Sequence, residues 1–145
     1  RADPLYRSYK SGFKEFKAIQ AKETLASAIQ IGDPVSFKKA VNELKHFDGI
    51  VDSVGESDLM DWKARIDRLG ISICPNSSVA IAGAMKLRHD NIIKEKDEVV
   101  VILTAHGSKF SKTAIEYHDN TDNQYANLTS TIEADIGQLE SILNL

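Results

Sequence analysis

The hydrophobic positions of this chain fall into short apolar runs and amphipathic stretches, with glycines and prolines at the joints. Residues 24–31 (TLASAIQI) form one such run, which turns at Gly32-Asp33-Pro34. Asp33 as N-cap with Pro34 at the first helical position predicts a helix start, because proline lacks only an amide hydrogen that the first turn leaves unpaired. Phe37, Val41 and Leu44 recur at i, i+4 and i+7, which predicts a buried stripe on a helix ending near Phe47, before Gly49. Residues 49–54 read as a strand. Gly55-Glu56-Ser57-Asp58 opens a second helix with acids in its first turn, where the helix dipole favours them. Leu59, Trp62, Ile66 and Leu69 mark its inner face, and Gly70 ends it. A third unit begins with Ile71-Ser72-Ile73-Cys74, turns at Pro75-Asn76, and enters a stretch over 79–87 that is apolar nearly throughout and rich in Ala and Gly. Such a stretch suits a helix packed on two sides. Residues 94–97 are a solvated turn, and 99–103 are five consecutive apolar residues, the pattern of a strand buried on both faces. The polar stretch 111–130 is expected to wrap the surface. A final helix carries Ile132, Ile136, Leu139 and Leu143 on one stripe.

The order strand, helix, strand, helix, helix, strand predicts an α/β architecture with a parallel sheet. Three regions follow: 1–22 as a surface flap or connecting segment, 23–110 as the α/β part, and 111–145 as a polar wrap with a closing helix. With 145 residues, 42% hydrophobic and 27% charged, the chain has the size and make-up of one globular domain. A net charge of −3 provides no general attraction to nucleic acid or anionic membrane, and no apolar run approaches the ~20 residues that span a bilayer. Cys74 is the sole cysteine, which excludes an internal disulfide framework and fits a reducing compartment. The chain opens on Arg1 with no secretory pattern behind it, so any targeting segment is expected to be absent or already removed. Without an initiator methionine, the sequence reads as a processed chain or a piece of a longer one.

Residues 1–22 interleave Tyr6, Tyr9, Phe13 and Phe16 with six basic residues against two acidic ones. Such a mixture is able to stack bases and neutralise phosphates of a single strand. A surface flap whose Tyr and Phe side chains dock on another domain explains the same letters, and the acidic remainder opposes nucleic acid.

In open α/β sheets, ligands collect beyond the carboxyl ends of the strands, which makes Thr104-Ala105-His106-Gly107 the first place to look for a site. Ser108 lacks the frame of a nucleophile turn. The four histidines and Cys74 show no metal-ligand spacing. Spacing alone favours the plainer reading, in which Thr104 merely finishes a strand and Gly107 permits a turn.

The blocks TLASAIQIGDPVSF, ICPNSSVAIAGAMKLR and VVVILTAHGSKF, in this order and separation, resemble the carboxyl-terminal half of threonine synthase, a pyridoxal-phosphate enzyme of fold type II. Pro4-Leu5-Tyr6 with Lys10-Ser11-Gly12, and Ile115-Glu116-Tyr117-His118, look like its plant-type branch. The resemblance covers roughly residues 3–117 and implies that 23–110 belong to the large cofactor-binding domain. It implies that Thr104 hydrogen-bonds the pyridine nitrogen of the cofactor, with His106 and Gly107 shaping the turn behind it. A neutral hydroxyl there moderates the ring as an electron sink. Lys109 is then a surface residue or one that stands behind those touching the cofactor, since the family's Schiff-base lysine lies upstream, as do its phosphate loop and substrate-binding residues. Ile31-Gly32 resembles the segment lining the ring, although a plain turn accounts for it equally. Asn76-Ser77-Ser78 start a helix whose amides face an anion or cofactor, or simply cap it. Cys74-Pro75-Asn76 departs from bacterial relatives, where an acidic residue is common, so a carboxylate role at this loop is not carried over.

The implied activity is conversion of O-phospho-L-homoserine and water to L-threonine and phosphate. The implied partners are the amino-terminal part of the enzyme and a second copy in a homodimer, in a plastid if the source is a plant and in the cytoplasm otherwise. Alone, the chain is expected to be inactive. A non-catalytic or regulatory fragment of the same fold, and a related phosphate-eliminating synthase acting on phosphoserine, are the alternatives.

Overall fold

Six α-helices and two 3₁₀ turns make up the regular structure of residues 1–144, the part described by the computed structural model. Leu145, at the end of the expected closing segment, lies outside the described residues. The helices are α1 (Pro4–Lys10), α2 (Phe37–His46), α3 (Glu56–Asp67), α4 (Pro75–His89), α5 (Ser111–Asp119) and α6 (Ile136–Leu143). The 3₁₀ turns cover Ser27–Ile29 and Gly107–Phe110.

The expected α/β architecture with a parallel sheet is corrected by this structure: among the described residues there is no sheet, and strand pairing is limited to one isolated antiparallel bridge between Ile73 and His106. A strand exists only where its amides and carbonyls meet those of a neighbour. Within residues 24–31 the only regular element is the 3₁₀ turn Ser27–Ile29. Residues 50–54 carry no ladder and are tied to α4 by Lys86, whose Nζ donates to Asp52 Oδ1 at 2.8 Å and to the Ser53 carbonyl at 3.2 Å. Residues 99–103 make no backbone hydrogen bond to another segment among the described residues, and Val100 and Ile102 stand 90% and 75% exposed. The apolar run states an appetite for burial that the described residues meet only in part, at Val101.

Helix boundaries follow local chemistry more closely. Gly55 is the N-cap of α3, with Glu56 and Asp58 in the first turn as the pattern predicts. Its buried face is Leu59, Met60, Lys63 and Ala64, not the predicted Leu59-Trp62-Ile66-Leu69 stripe. The Trp62 ring instead takes the Arg65 guanidinium at 3.7 Å, and Leu69 is exposed. Helix α2 begins at Phe37 with Ser36 as N-cap, so Asp33 does not cap it. A turn intervenes, in which Phe37 N–H donates to the Pro34 carbonyl at 3.0 Å. Helix α4 is longer than predicted, starting at Pro75 with Cys74 as its N-cap. Helices α1 and α5 replace parts of the expected flap and wrap. Two aromatics of residues 1–22 meet α2: Phe16 lies 4.0 Å from Phe37 between ring centroids, and Lys45 sits over the Phe13 ring.

The core gathers Ala26, Leu59, Met60, Ala64 and Tyr117, with Val54, Val79 and Tyr125 packed against it. Tyr117 brings α5 onto α3, its hydroxyl donating to Asp61 Oδ1 at 2.5 Å. Burial, then the hydrogen bond and charge of Asp61, push the Tyr117 phenol up to about 12 from an ordinary value of 10.0. Between those values the unfolded chain has lost the proton that the folded chain keeps. The contribution is therefore fully present below pH 10.0 and lost as pH rises through about 12, at most roughly 2–3 kcal/mol. Denaturant titrations on the alkaline side of neutrality should show a steeper fall for the wild-type chain than for Tyr117→Phe. Equal slopes would remove Tyr117 from the account.

Candidate functional site

Helix α4 starts on a proline whose missing amide costs nothing at the first position, with Cys74 in extended geometry before it. Cys74 is fully buried, and its Sγ accepts the Ser77 N–H at 3.3 Å. Asn76 Nδ2 lies 3.9 Å from the same sulfur, while Asn76 Oδ1 accepts the Ala28 N–H at 3.1 Å. Burial raises the Cys74 thiol, but the hydrogen bonds from Ser77 and Asn76 outweigh it and bring the thiol below its ordinary value.

The tip at Thr104 is folded onto this helix start. Cys74 N–H donates to the Ala105 carbonyl at 3.1 Å and Gly107 N–H to the Ser72 carbonyl at 3.2 Å, on either side of the Ile73–His106 bridge. Gly107 is required by close approach: a Cβ there would lie 2.4 Å from Ser72 Oγ and 2.8 Å from the Ile73 carbonyl oxygen. His106 Nδ1 accepts the Ser108 N–H at 3.1 Å and so caps the turn that follows. Ile73 is itself held from α3, since its N–H donates to Asp67 Oδ1 at 3.0 Å.

Ser77 joins the two halves. Its Oγ accepts the Thr104 N–H at 2.9 Å and lies 3.3 Å from Thr104 Oγ1 and 3.2 Å from Cys74 Sγ. Thr104 itself is exposed, so its hydroxyl is anchored from behind and open in front. A hydroxyl so placed is able to donate one hydrogen bond to, or accept one from, a ligand.

The structure thus brings together Thr104, His106, Gly107, Asn76 and Ser77. No hydrogen bond joins Ile31-Gly32 to them. Gly32 is committed to its own chain, its carbonyl accepting Ile19 N–H at 2.9 Å, with room for no Cβ beside the Ile19 carbonyl. The same block reaches α4 through Ala28 and Asn76 instead. Ser78 Oγ donates to the Pro75 carbonyl, a local cap. Lys109 is exposed on the 3₁₀ turn. The parts of Ser77 and Cys74 in holding Thr104 escape sequence reasoning. Cys-Pro-Asn-Ser-Ser signals a helix start and says nothing of a partner 27 residues away.

No family model matches this chain. It is 45% identical, over 98% of its length, to threonine synthase 2, chloroplastic, of Arabidopsis thaliana, covering 28% of that protein. It is 31% identical, over 93% of its length, to threonine synthase of Methanosarcina acetivorans, covering 34% of it. The chain belongs to the threonine synthase family. A threonine synthase of a Bacillus species is 32% identical over 67% of the chain and 28% of that protein. Against these relatives the chain spans about a third of a threonine synthase or less. Among its described residues no helix is long and apolar enough to cross a membrane.

Proposed function

We propose that this chain is the carboxyl-terminal portion of a threonine synthase and that the Thr104 hydroxyl pairs with the ring nitrogen of pyridoxal phosphate. The observation that carries the reading is the exposed Thr104 side chain, fixed from behind by Ser77 at the start of α4. The residues fit the group: a neutral hydroxyl with a free front suits a pyridine nitrogen, and neither partner needs a formal charge. When bound, pyridoxal phosphate supplies an electron sink for carbanionic character on an amino-acid substrate.

Within that enzyme the chain's own residues orient. Ser77 fixes the backbone and hydroxyl of Thr104, and Gly107 and His106 fix the turn that presents it. The whole enzyme, on this reading, takes O-phospho-L-homoserine and water to L-threonine and phosphate. The amino-terminal part supplies the lysine and the phosphate-binding loop, and the chain alone is inactive. Exposed Val100 and Ile102 support a need for that partner, since no segment within residues 1–144 covers them. A homodimer belongs to the same proposal. So does a plastid location, supported by the name of the Arabidopsis relative.

Thr104→Val in the complete enzyme should weaken cofactor binding by ~0.5–1.5 kcal/mol, the worth of one neutral hydrogen bond, with Thr104→Ser near wild type. Equilibrium titration of cofactor into apoenzyme measures it. Affinity unchanged by valine would count against the assignment.

A further inference from the structure

The proton on the Thr104 hydroxyl is decided by its buried neighbours, because Ser77 Oγ has one proton to give and two lone pairs to fill. One lone pair is already taken by the Thr104 N–H at 2.9 Å. Two contacts remain, Cys74 Sγ at 3.2 Å and Thr104 Oγ1 at 3.3 Å, so Ser77 donates to one and accepts from the other. Cys74 Sγ already receives the Ser77 N–H and faces Asn76 Nδ2. As a thiol it therefore has only its S–H left to use, and Ser77 Oγ is the acceptor within reach. Ser77 then gives its proton to Thr104 Oγ1, and the Thr104 proton is free to point outward. As a thiolate, Cys74 accepts the Ser77 proton instead. Thr104 must then donate inward to Ser77 and presents only lone pairs to its front.

We propose that Cys74 and Ser77 are positioning residues that set whether the Thr104 hydroxyl donates or accepts in front of α4. The inference rests on the Thr104 reading above and deepens it. A hydroxyl that donates pairs with an unprotonated ring nitrogen, whereas one that only accepts opposes lone pair to lone pair. The hydrogen bonds from Ser77 and Asn76 that lower the thiol favour the thiolate, the state in which the chain runs the other way. No charged group lies in the first turn of α4 itself. From α3, Asp67 with Lys63 reaches the neighbouring Ile73 amide, and from the tip His106 pairs with Ile73. All three remain in place when Cys74 is replaced by serine.

The test uses the complete enzyme and pyridoxal phosphate itself. In wild type, cofactor affinity should fall about fivefold as pH rises through the Cys74 titration, the worth of one neutral hydrogen bond lost. The titration is located independently by loss of the S–H infrared stretch, taken as the difference between wild-type and Cys74→Ser apoenzyme. Cys74→Ser cannot ionise in this range, so the fall should vanish. In the apoenzyme, Thr104→Val should also shift the Cys74 S–H band, because the chain loses its far end. Cys74→Ala offers a second variant should serine fail to fold, again with no fall through that interval. If Thr104→Val weakens the cofactor but Cys74→Ser or Cys74→Ala keeps the wild-type pH course, the relay is overturned and the Thr104 contact stands. If the S–H band ignores Thr104→Val, the relay is overturned as well. If Thr104→Val leaves affinity untouched, the cofactor contact itself falls, and the relay with it.

Discussion

Asp67→Ala should cost roughly 3–5 kcal/mol of stability, the usual penalty for leaving one partner of a buried ion pair alone. Lys63 is 2% exposed on the inner face of α3 and spends its ammonium group on Asp67 Oδ2, one turn along. The other oxygen of Asp67 accepts the Ile73 N–H. Alanine therefore strands a buried cation and a backbone donor together. The opposite truncation is milder. In Lys63→Met the aliphatic stem is kept, and the Asp67 side chain, 23% exposed, is able to take water, so the loss should be about 1–2 kcal/mol. Denaturant midpoints at matched slopes measure both. A Lys63→Met loss as large as that of Asp67→Ala would show that α3 depends on the cation itself.

Gly107→Ala carries the second large effect, for a steric reason. The Ser72 hydroxyl, 2.4 Å from the added Cβ, is able to rotate away, but the Ile73 carbonyl oxygen at 2.8 Å belongs to the backbone that pairs with His106. The tip must lift, at a cost of roughly 1–3 kcal/mol, with the hydrogen bonds from Cys74 N–H and Gly107 N–H loosened in step. Thr104 leaves Ser77 as the tip moves, so cofactor affinity in the complete enzyme should fall at least as far as in Thr104→Val. Amide exchange at Cys74 and Gly107 should quicken together. A change in stability under about 0.5 kcal/mol with both amides still protected would mean that the turn yields without moving the bridge.

Both predictions converge on Ile73, which no sequence pattern singles out. Its amide is held by α3, its neighbours pair with the tip, and the next residue caps α4. The elements around it were legible to different degrees. Gly55-Glu56-Ser57-Asp58 announces α3 because capping and dipole chemistry act within a few residues. Pro75-Asn76 reads as a turn but opens α4, and the apolar pattern places the start of that helix four residues late. The face of α3 was misjudged, because Trp62 is amphipathic enough to stay half-buried beneath Arg65 while Lys63 goes inside with its counterion. Helix α5 was hidden by its polar composition; its single buried residue, Tyr117, holds it by one ring and one hydrogen bond. The sheet was read from three apolar runs, and periodicity measures the wish to be buried without naming a neighbour.

For this chain the sequence by itself determined the start of α3, the family, and Thr104 as a residue to examine, since each depends on local chemistry or on the order of recognisable blocks. The tertiary structure alone decided that Thr104 meets Ser77, which in turn meets Cys74, that Lys63 is interior, and that 99–103 finds no backbone hydrogen-bond partner among residues 1–144. These outcomes depend on which distant groups satisfy a buried donor or an apolar face. That matching is a property of the folded chain as a whole, and no short window of residues contains it.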